Sequence, residues 1–269
     1  MNNNVKLYFV STPIGNIKDI TLRALDILKA VDYIFAEDTR VTQKLLNYYD
    51  IKKPLFIYNK DNEKESSKKI INLICDNKVI ALTTDAGTPC ISDPGSFLVK
   101  EVIQTNIPFE VIPGPTALIP ALIYSGFDLN TFYFKGFLNH KKSERLKELE
   151  DLTQINGTIA IYESCHRIKN TVYDLFNFFK TPFFICRELT KIFEEHLYIN
   201  SKDEVERIIE KGEFIIVFEN KIIKDNVGFN FTKIATILSD ENFSKKDIIK
   251  ILKIIGCKRN TGYNIVESI

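Results

Sequence analysis

The sequence has almost no net charge. Thirty-six Lys and Arg residues oppose thirty-five Asp and Glu residues, which leaves a formal charge of +1 at pH 7. Composition therefore gives no sign of a protein that attracts nucleic acid over its whole surface, and any basic surface has to be local. With 269 residues, of which 45% are hydrophobic and 26% are charged, the chain has a globular composition and a length that favours two α/β domains over one.

Paired cysteines and long apolar runs are also missing. The five cysteines are odd in number and widely spaced, and no Cys-x-x-Cys pair occurs among them. This pattern argues against disulfides and zinc sites and favours reduced thiols. The first six residues lack the apolar core of a signal peptide, and no segment approaches the length of a membrane span. We therefore expect a cytoplasmic protein with no membrane contact and no metal.

Two series of alternating strands and helices predict an α/β fold. The first has strands at residues 6–10, 33–36, 55–57, 79–82 and 109–112. Its βαβ order predicts a mostly parallel sheet. The second has strands at residues 132–135, 158–162, 183–187, 191–199 and 213–218. Because 191–199 and 213–218 look like paired strands that flank a helix, with no long connection after the first, the second sheet should be mixed.

Two changes in the composition of the sequence predict the domain boundaries. A stiff Pro-Gly-Pro bend at 113–117 suits a crossing between domains, and the chain becomes polar from residue 225. We expect an N-terminal α/β domain at 1–114, a C-terminal α/β domain at 115–224, and a linker with a small helical tail at 225–269.

Residues 83–95, TTDAGTPCISDPG, break the apolar pattern after the fourth strand. They contain two aspartates, two glycines and two prolines. Glycine lets a ligand approach the main chain, and proline stiffens the loop. Open α/β sheets bind small molecules at the carboxyl ends of their strands. A rigid turn would explain one such loop, but residues 11–16 have similar character after the first strand, so a binding site is favoured.

Charged residues follow the second strand in the sequence AEDTR at 36–40. At a strand's carboxyl end, the charged side chains of Glu37, Asp38 and Arg40 pack poorly and are suited to binding a ligand. A solvated helix start with Thr39 as its N-cap explains them almost as well.

The tail from Ser244 carries the one local excess of charge. Six Lys and Arg oppose two acidic residues there, a local charge of +4. Ser244 and Asp247 predict a helix start, and Gly256 predicts its end. The basic residues either contact nucleic-acid phosphates or form a solvated face, and charge alone favours neither. They are Lys245, Lys246, Lys250, Lys253, Lys258 and Arg259.

Seven motifs, in order, resemble those of the ribosomal RNA small subunit methyltransferase I family. They are VSTPIGN at 10–16, AEDTR at 36–40, DAGTPCISDPG at 85–95, PGPTA at 113–117, KGFL at 135–138, YESCHR at 162–167 and RELTKIFE at 187–194. The resemblance runs from about Leu7 to the tail. It departs at Cys165, where members often carry proline, which leaves that turn less rigid.

The resemblance implies a fold, a reaction and partners. The family belongs to the tetrapyrrole methylase superfamily, whose members bind S-adenosylmethionine in a cleft between two α/β domains. Its enzymes methylate the ribose 2′ oxygen of a cytidine in the decoding region of small-subunit ribosomal RNA. We expect the substrate to be the assembled small subunit, and the superfamily, together with an apolar surplus at 118–124, suggests a homodimer. The alternatives are a methyltransferase acting on a tetrapyrrole or a protein, and a ribosome-binding protein without activity.

The cofactor has no phosphates, so the absence of a Gly-x-Gly-x-x-Gly turn fits. Its zwitterionic end and its sulfonium cation need main-chain donors, carbonyls and carboxylates. The resemblance implies that Tyr162 and Leu189 line the binding site of the cofactor's adenosine. The residues expected to bind the cofactor are Pro13, Asp85, Ala86, Gly87, Thr88, Ile91, Thr116, Ala117, Tyr162 and Leu189.

A ribose hydroxyl is a weak acid, so its proton has to be taken or the developing alkoxide stabilised. The candidates are charged residues in the last two motifs, with Glu37 and Asp38 opposite them. We expect Glu163 or Glu188 to act as a base, and Arg187 or Lys191 to orient the substrate. The alternative is that these charges only pair with one another.

Overall fold

The computed structural model describes residues 5–222, 230–257 and 259–268. The chain divides into two compact units, Met1–Lys221 and Ile222–Ile269. The predicted region 1–114 and residues 115–221 of the predicted region 115–224 lie in the first unit. The boundary after residue 114 stays a prediction. The start of the predicted linker, 225–229, and Lys258 lie outside the described residues.

The first sheet contains five parallel strands, as predicted. Its order is β3-β2-β4-β1-β5, so all five carboxyl ends meet at one edge. The central strand β4 and its neighbour β1 are buried at every position. The elements are β1 Leu7–Val10, α1 Leu22–Ala30, β2 Tyr33–Ala36, α2 Thr39–Tyr48, β3 Leu55–Ile57, α3 Glu63–Cys75, β4 Ile80–Thr83, α4 Ser96–Gln104 and β5 Phe109–Ile112.

Helices cover both faces of this sheet. Successive strand residues point to opposite faces, so a continuous apolar strand fills two layers. Tyr8 and Val10 pack with α1 and α2 on one face. Leu7 and Phe9 pack with α3 and α4 on the other. The loops after the strands are thereby held on a rigid base.

The second sheet is mixed, as predicted, in the order β6-β7-β10-β8-β9. Strands β6 and β7 are parallel, and the other pairs are antiparallel. The elements are α5 Leu118–Ser125, β6 Phe132–Phe137, α6 Lys142–Leu152, β7 Gly157–Ser164, α7 Ile168–Phe178, β8 Phe183–Arg187, β9 Glu195–Ile199 and β10 Glu213–Asn220.

The predicted pairing of 191–199 with 213–218 is wrong. Strand β9 starts at Glu195 and pairs with β8, while β10 lies between β7 and β8. Glu188 and Thr190 have positive φ angles of 54° and 66°. These conformations turn the chain back on itself, so β8 and β9 form a hairpin with Arg187 opposite Glu195.

An apolar cluster joins the second sheet to loops of the first. Ala121 and Leu122 of α5 pack on one face of the second sheet. Ile14, after β1, and Ala117, after β5, pack against the same cluster. The two sheets of the first unit therefore meet at the carboxyl edge of the first one.

The second unit contains three described helices, α8 Phe231–Asp240, α9 Lys245–Ile254 and α10 Arg259–Ser268. The predicted start at Ser244 is confirmed, because its side chain accepts from the Asp247 amide, and Gly256 ends the helix at φ 93°. Helix α8 was not predicted. Throughout the described residues, no helix combines the length and apolar character needed to cross a bilayer.

Candidate active site

Hydrogen bonds join the loops after β1 and β4 into one platform. The Thr12 amide donates to the Gly87 carbonyl at 2.9 Å, and the Gly87 amide donates to the Thr12 carbonyl at 3.0 Å. The Thr12 hydroxyl donates to the Thr84 carbonyl at 3.0 Å. The hydroxyls of Ser11 and Thr88 lie 2.9 Å apart. The two loops singled out by the sequence are thus brought together.

Gly87 shapes this platform through its conformation. Its φ angle is 82°, a region that other L residues rarely adopt. Cys90 and Ser92 are also left-handed, with φ angles of 74° and 68°. Each such residue costs on the order of 1–2 kcal/mol. Strain of this kind clusters at ligand sites, which fits a binding loop.

Main-chain donors next to Gly87 are available to a ligand. Both polar groups of Gly87 are used by Thr12. In the described part of the chain, the amides of Ala86 and Thr88 donate to no protein acceptor. Main-chain contacts to a ligand therefore fall on these neighbours, while Gly87 sets their direction.

Three carboxyl groups converge at this edge of the sheet. Burial, followed by the charges of Glu37 and Asp85, raises the pKa of Asp93 to about 7, although the charge of Lys60 acts to lower it. Burial also raises the pKa of Glu37 and that of Asp85. Gathering like charges out of water opposes folding, so the cluster favours a ligand with a cationic group. The sequence analysis did not assign Asp93, although it lies in the motif at 85–95.

The residues of the AEDTR motif have two different roles. Asp38, rather than Thr39, is the N-cap of α2, and it accepts from the Arg40 amide at 2.8 Å. Arg40 pairs with Asp38 at 2.6 Å and is 87% exposed. Glu37 joins the carboxyl cluster instead. A short polar residue caps a helix best when its oxygen reaches the second or third amide, as Asp38 does here.

The bend at 113–117 brings residues of both sheets together. A Cβ at Gly114 would lie 2.8 Å from the Ser11 Cβ, so this close approach requires glycine. Burial raises the pKa of Tyr162, while the Thr116 side chain and the Leu118 amide act to lower it. Leu189 is buried in the same apolar cluster as Ala117. Four predicted cofactor residues thus surround the start of α5.

Pro13 and Asp85, two of the predicted cofactor residues, share a pocket. Together with Thr12, Gly15 and Thr84 they line a pocket of about 180 Å³ whose other wall is α2. Ile91 is 49% exposed and lies apart from this pocket. The structure therefore does not gather all the predicted cofactor residues around one cavity.

The carboxylate of Glu163 is fully used inside the fold. It accepts from the Ser164 amide at 2.7 Å and from the Thr171 hydroxyl at 2.7 Å. It also pairs with Arg167 at 2.7 Å, and its side chain is 0% exposed. The geometry favours a role in holding the end of β7 to α7.

Glu188 and Lys191 form a fixed pair beside the platform. Lys191 Nζ contacts Glu188 at 2.8 Å and Glu213 at 3.0 Å. Burial acts to lower the pKa of Lys191, but these hydrogen bonds outweigh it and raise the pKa. Burial acts to raise the pKa of Glu188, but bonds from Lys191 and the Glu213 amide lower it overall. Lys191 is held as a cation and Glu188 is a weak base.

Arg187, the remaining candidate residue, is also paired, because its Nε donates to Glu195 at 2.9 Å. Such pairing agrees with the alternative in which the charges only bind one another. It is also compatible with a positioned cation, since Lys191 remains 30% exposed.

Gly15 allows the loop 188–194 to reach the platform. A Cβ at Gly15 would lie 2.5 Å from Lys191 Cγ and 2.7 Å from Thr190 Oγ1. The Asn16 amide donates to Thr190 Oγ1 at 3.0 Å. Lys191 is thereby placed against the loop after β1. No sequence signal singled out Gly15 beyond its motif.

The comparisons with known proteins agree on one family. The model of Tetrapyrrole (Corrin/Porphyrin) Methylases matches residues 6–206. Ribosomal RNA small subunit methyltransferase I of Mycoplasmopsis pulmonis is 46% identical over 218 residues, 79% of this chain and 97% of that protein. The protein of the same name from Haemophilus influenzae is 37% identical over 267 residues, 96% of this chain and 94% of that protein.

Solved structures show the same fold at low identity. The crystal structure of diphthine synthase has a TM-score of 0.65 and 14% identity, over 79% of this chain and 89% of that one. Uroporphyrin-III C-methyl transferase from Thermus thermophilus, complexed with S-adenyl homocysteine, has a TM-score of 0.55 and 17% identity, over 79% of this chain and 96% of that one.

Proposed function

Since the chain belongs to the tetrapyrrole (corrin/porphyrin) methylase family and, within it, to ribosomal RNA small subunit methyltransferase I, we propose that it methylates small-subunit ribosomal RNA with S-adenosylmethionine. The acceptor is the ribose 2′ oxygen of a cytidine in the decoding region. The single observation that carries the proposal is the platform formed by the loops after β1 and β4, with its unpaired amides and its carboxyl cluster.

The residues present fit the charges of S-adenosylmethionine. Its sulfonium and ammonium groups match the carboxyl cluster of Glu37, Asp85 and Asp93. Its carboxylate matches amides such as those of Ala86 and Thr88. When bound, the cofactor supplies an electrophilic methyl group. The proposed cofactor-binding residues are Pro13, Asp85, Ala86, Gly87, Thr88, Ile91, Thr116, Ala117, Tyr162 and Leu189.

Activation of the ribose hydroxyl falls to the loop 188–194. Lys191, fixed by two carboxylates, would stabilise the developing charge on the 2′ oxygen. Glu188 positions Lys191, and its lowered pKa makes it a weak proton acceptor. Arg187 orients this loop through Glu195. Electrostatic stabilisation of the 2′ oxygen would therefore contribute more than general base catalysis, and the proton of the hydroxyl would pass to solvent water.

Transfer of tritium from labelled cofactor tests the function. We propose the assembled small subunit as the substrate, so subunits lacking this methyl group should be labelled faster than free ribosomal RNA. Labelling of a protein or a tetrapyrrole in place of RNA would support the other activities of the fold. No labelling of either RNA form would overturn the proposal.

A homodimer is proposed from the outer face of α5. This helix buries Ala121 and Leu122 but leaves Ile119, Ile123 and Tyr124 exposed at 46%, 65% and 51%. Ile119 and Ile123 lie one turn apart on the same helix face, and these exposed apolar side chains favour contact with a second copy.

We expect light scattering to give the mass of a dimer, and Ile123→Glu to give a monomer, because a buried charge would oppose association. Ile103→Glu, on exposed α4 surface, is the matched control and should remain dimeric. A monomeric wild-type protein would exclude this interface.

The pH dependence of cofactor binding should follow Asp93. Because the pKa of the Asp93 carboxyl is raised in the folded protein, the protonated carboxyl stabilises the fold at low pH. That contribution is complete below the unfolded pKa of about 4 and is lost as pH rises through 7. Cofactor affinity should rise severalfold between pH 6 and pH 8, since the ionised group attracts a cation.

Calorimetry over this pH range measures both effects. In the Asp93→Asn variant, cofactor affinity should change little with pH. The variant should also lack the loss of folding stability that accompanies ionisation of Asp93. An unchanged profile in the variant would show that another group controls binding.

Glu163→Gln is expected to lower the free energy of unfolding by about 3 kcal/mol, because Arg167 and Thr171 lose a buried charged acceptor. Urea denaturation measures the change. Glu150→Gln, at an exposed position of α6, should have almost no effect. A loss of single-turnover rate in a fully stable Glu163→Gln would instead support the base role.

A further inference from the structure

The helices of the second unit form a pocket that the proposed function does not use. Its volume is about 230 Å³. One water molecule occupies about 30 Å³ of the liquid, so the pocket has room for a planar base. The residues that define its character are Lys246, Ile249, Lys250, Lys253, Gly262 and Tyr263.

Three cations line one side of this pocket. Lys246, Lys250 and Lys253 are four and three positions apart on α9, so they share one helix face. Within the described part of the chain, none of the three is paired with a carboxylate. No acidic residue is among those that line the pocket. Uncompensated charges around one cavity favour an anion such as a phosphate group.

Helix α10 contributes an aromatic residue to this pocket. Tyr263 is 43% exposed and lines the pocket, whereas the apolar lining residue Ile249 lies on α9 beside the lysines. A Cβ at Gly262 would lie 3.7 Å from Cys257 Sγ, so the absence of a side chain there keeps space open. An aromatic ring beside cations is the combination that binds an unstacked base and its phosphate.

We propose that this pocket binds one nucleotide of single-stranded RNA, with its phosphate at the three lysines and its base against Tyr263. The identity of that RNA as small-subunit ribosomal RNA rests on the proposed function. The proposal gives the basic residues of the tail different roles. Lys245 is exposed on the same helix as the three pocket lysines but does not line the pocket. Lys258 lies outside the described residues, and the Arg259 side chain is not described.

Fluorescence anisotropy with the full chain and a short labelled single-stranded oligoribonucleotide tests the proposal. Lys250→Glu should weaken binding about tenfold and reduce the salt slope by roughly 0.7 or more, because a phosphate contact is lost. Lys245→Glu changes the net charge equally and should have much less effect. Tyr263→Ala should weaken binding about fivefold or more, whereas Tyr263→Phe should keep it, because only the ring is needed for stacking.

Equal weakening by Lys250→Glu and Lys245→Glu would overturn the pocket in favour of diffuse attraction. Unchanged affinity in a folded Tyr263→Ala would exclude base stacking, and if that variant fails to fold, the two lysine variants decide. RNA binding through the pocket without methylation of small-subunit RNA would contradict only the proposed function. Methylation with unaltered binding by all variants would contradict only the pocket.

Discussion

Gly87→Val is expected to lower the affinity for S-adenosylmethionine by about a hundredfold or more. The φ angle of 82° suits glycine, and a β-branched residue there is strained by more than the 1–2 kcal/mol typical of left-handed residues. The added methyl groups would also extend toward Ile14 and the Pro115 carbonyl, which lie 3.6 Å and 3.8 Å from a Cβ at this position. Both effects disturb the pairing of Gly87 with Thr12 that aligns the neighbouring amides.

Isothermal calorimetry measures this loss. Gly87→Ala should bind more tightly than Gly87→Val, because a Cβ alone meets only ordinary contacts. Gly256→Val is the matched control, since Gly256 has a φ angle of 93° with no atom within 4 Å of its Cβ and lies in the second unit. Wild-type affinity in Gly87→Val would place the cofactor elsewhere.

Lys191→Met is expected to reduce the single-turnover rate of methyl transfer by about 10²- to 10⁴-fold, with little change in cofactor affinity. The lysine is held between Glu188 and Glu213 and lies against Gly15, so it is a fixed cation at the edge of the platform. Removing it takes away charge that is needed most when the 2′ oxygen develops negative charge. Glu188→Gln should cause a smaller loss, because it only loosens Lys191.

Rapid-quench measurements under single-turnover conditions test this assignment. Lys169→Met is the matched control, since Lys169 also contacts two glutamates, Glu206 at 2.7 Å and Glu210 at 4.0 Å. It should react at the wild-type rate. Full turnover by Lys191→Met would leave orientation of the substrate as the main contribution of the site.

Strands were the part of the fold that local sequence predicts best. The segments Leu55–Ile57, Phe109–Ile112 and Phe183–Arg187 have the bounds that were predicted, because short apolar runs bounded by polar residues leave few other structures. The partners of β9 could not be predicted in the same way. Pairing depends on contacts between distant residues and on the turn at 188–194, whose left-handed positions are not glycines.

Helix α8 could have been predicted from its apolar residues, although the segment around it is polar. Phe231, Ile234, Ala235 and Leu238 all pack in the core of the second unit at helical spacing, and the Asn230 side chain caps the helix by accepting from the Lys233 amide. A search for this spacing would have found the helix.

The candidate site could be predicted only as a set of loops. The motifs indicated that residues after β1, β4 and β5 share a site, and the structure brings these loops together. The raised pKa of Asp93 depends on burial and on two other carboxyl groups that approach it in space. The fixed charge of Lys191 likewise depends on Glu213, which lies in another strand. Such effects arise from folding and have no local sequence pattern.

The most direct test of the account is nucleoside analysis of ribosomal RNA after reaction. Small subunits that lack this methyl group would be incubated with the protein and S-adenosylmethionine, and the RNA digested and analysed by mass spectrometry. We expect 2′-O-methylcytidine from the decoding region, formed only when protein and cofactor are both present. A methyl group on a base, or no methylated ribose in the RNA, would contradict the central claim.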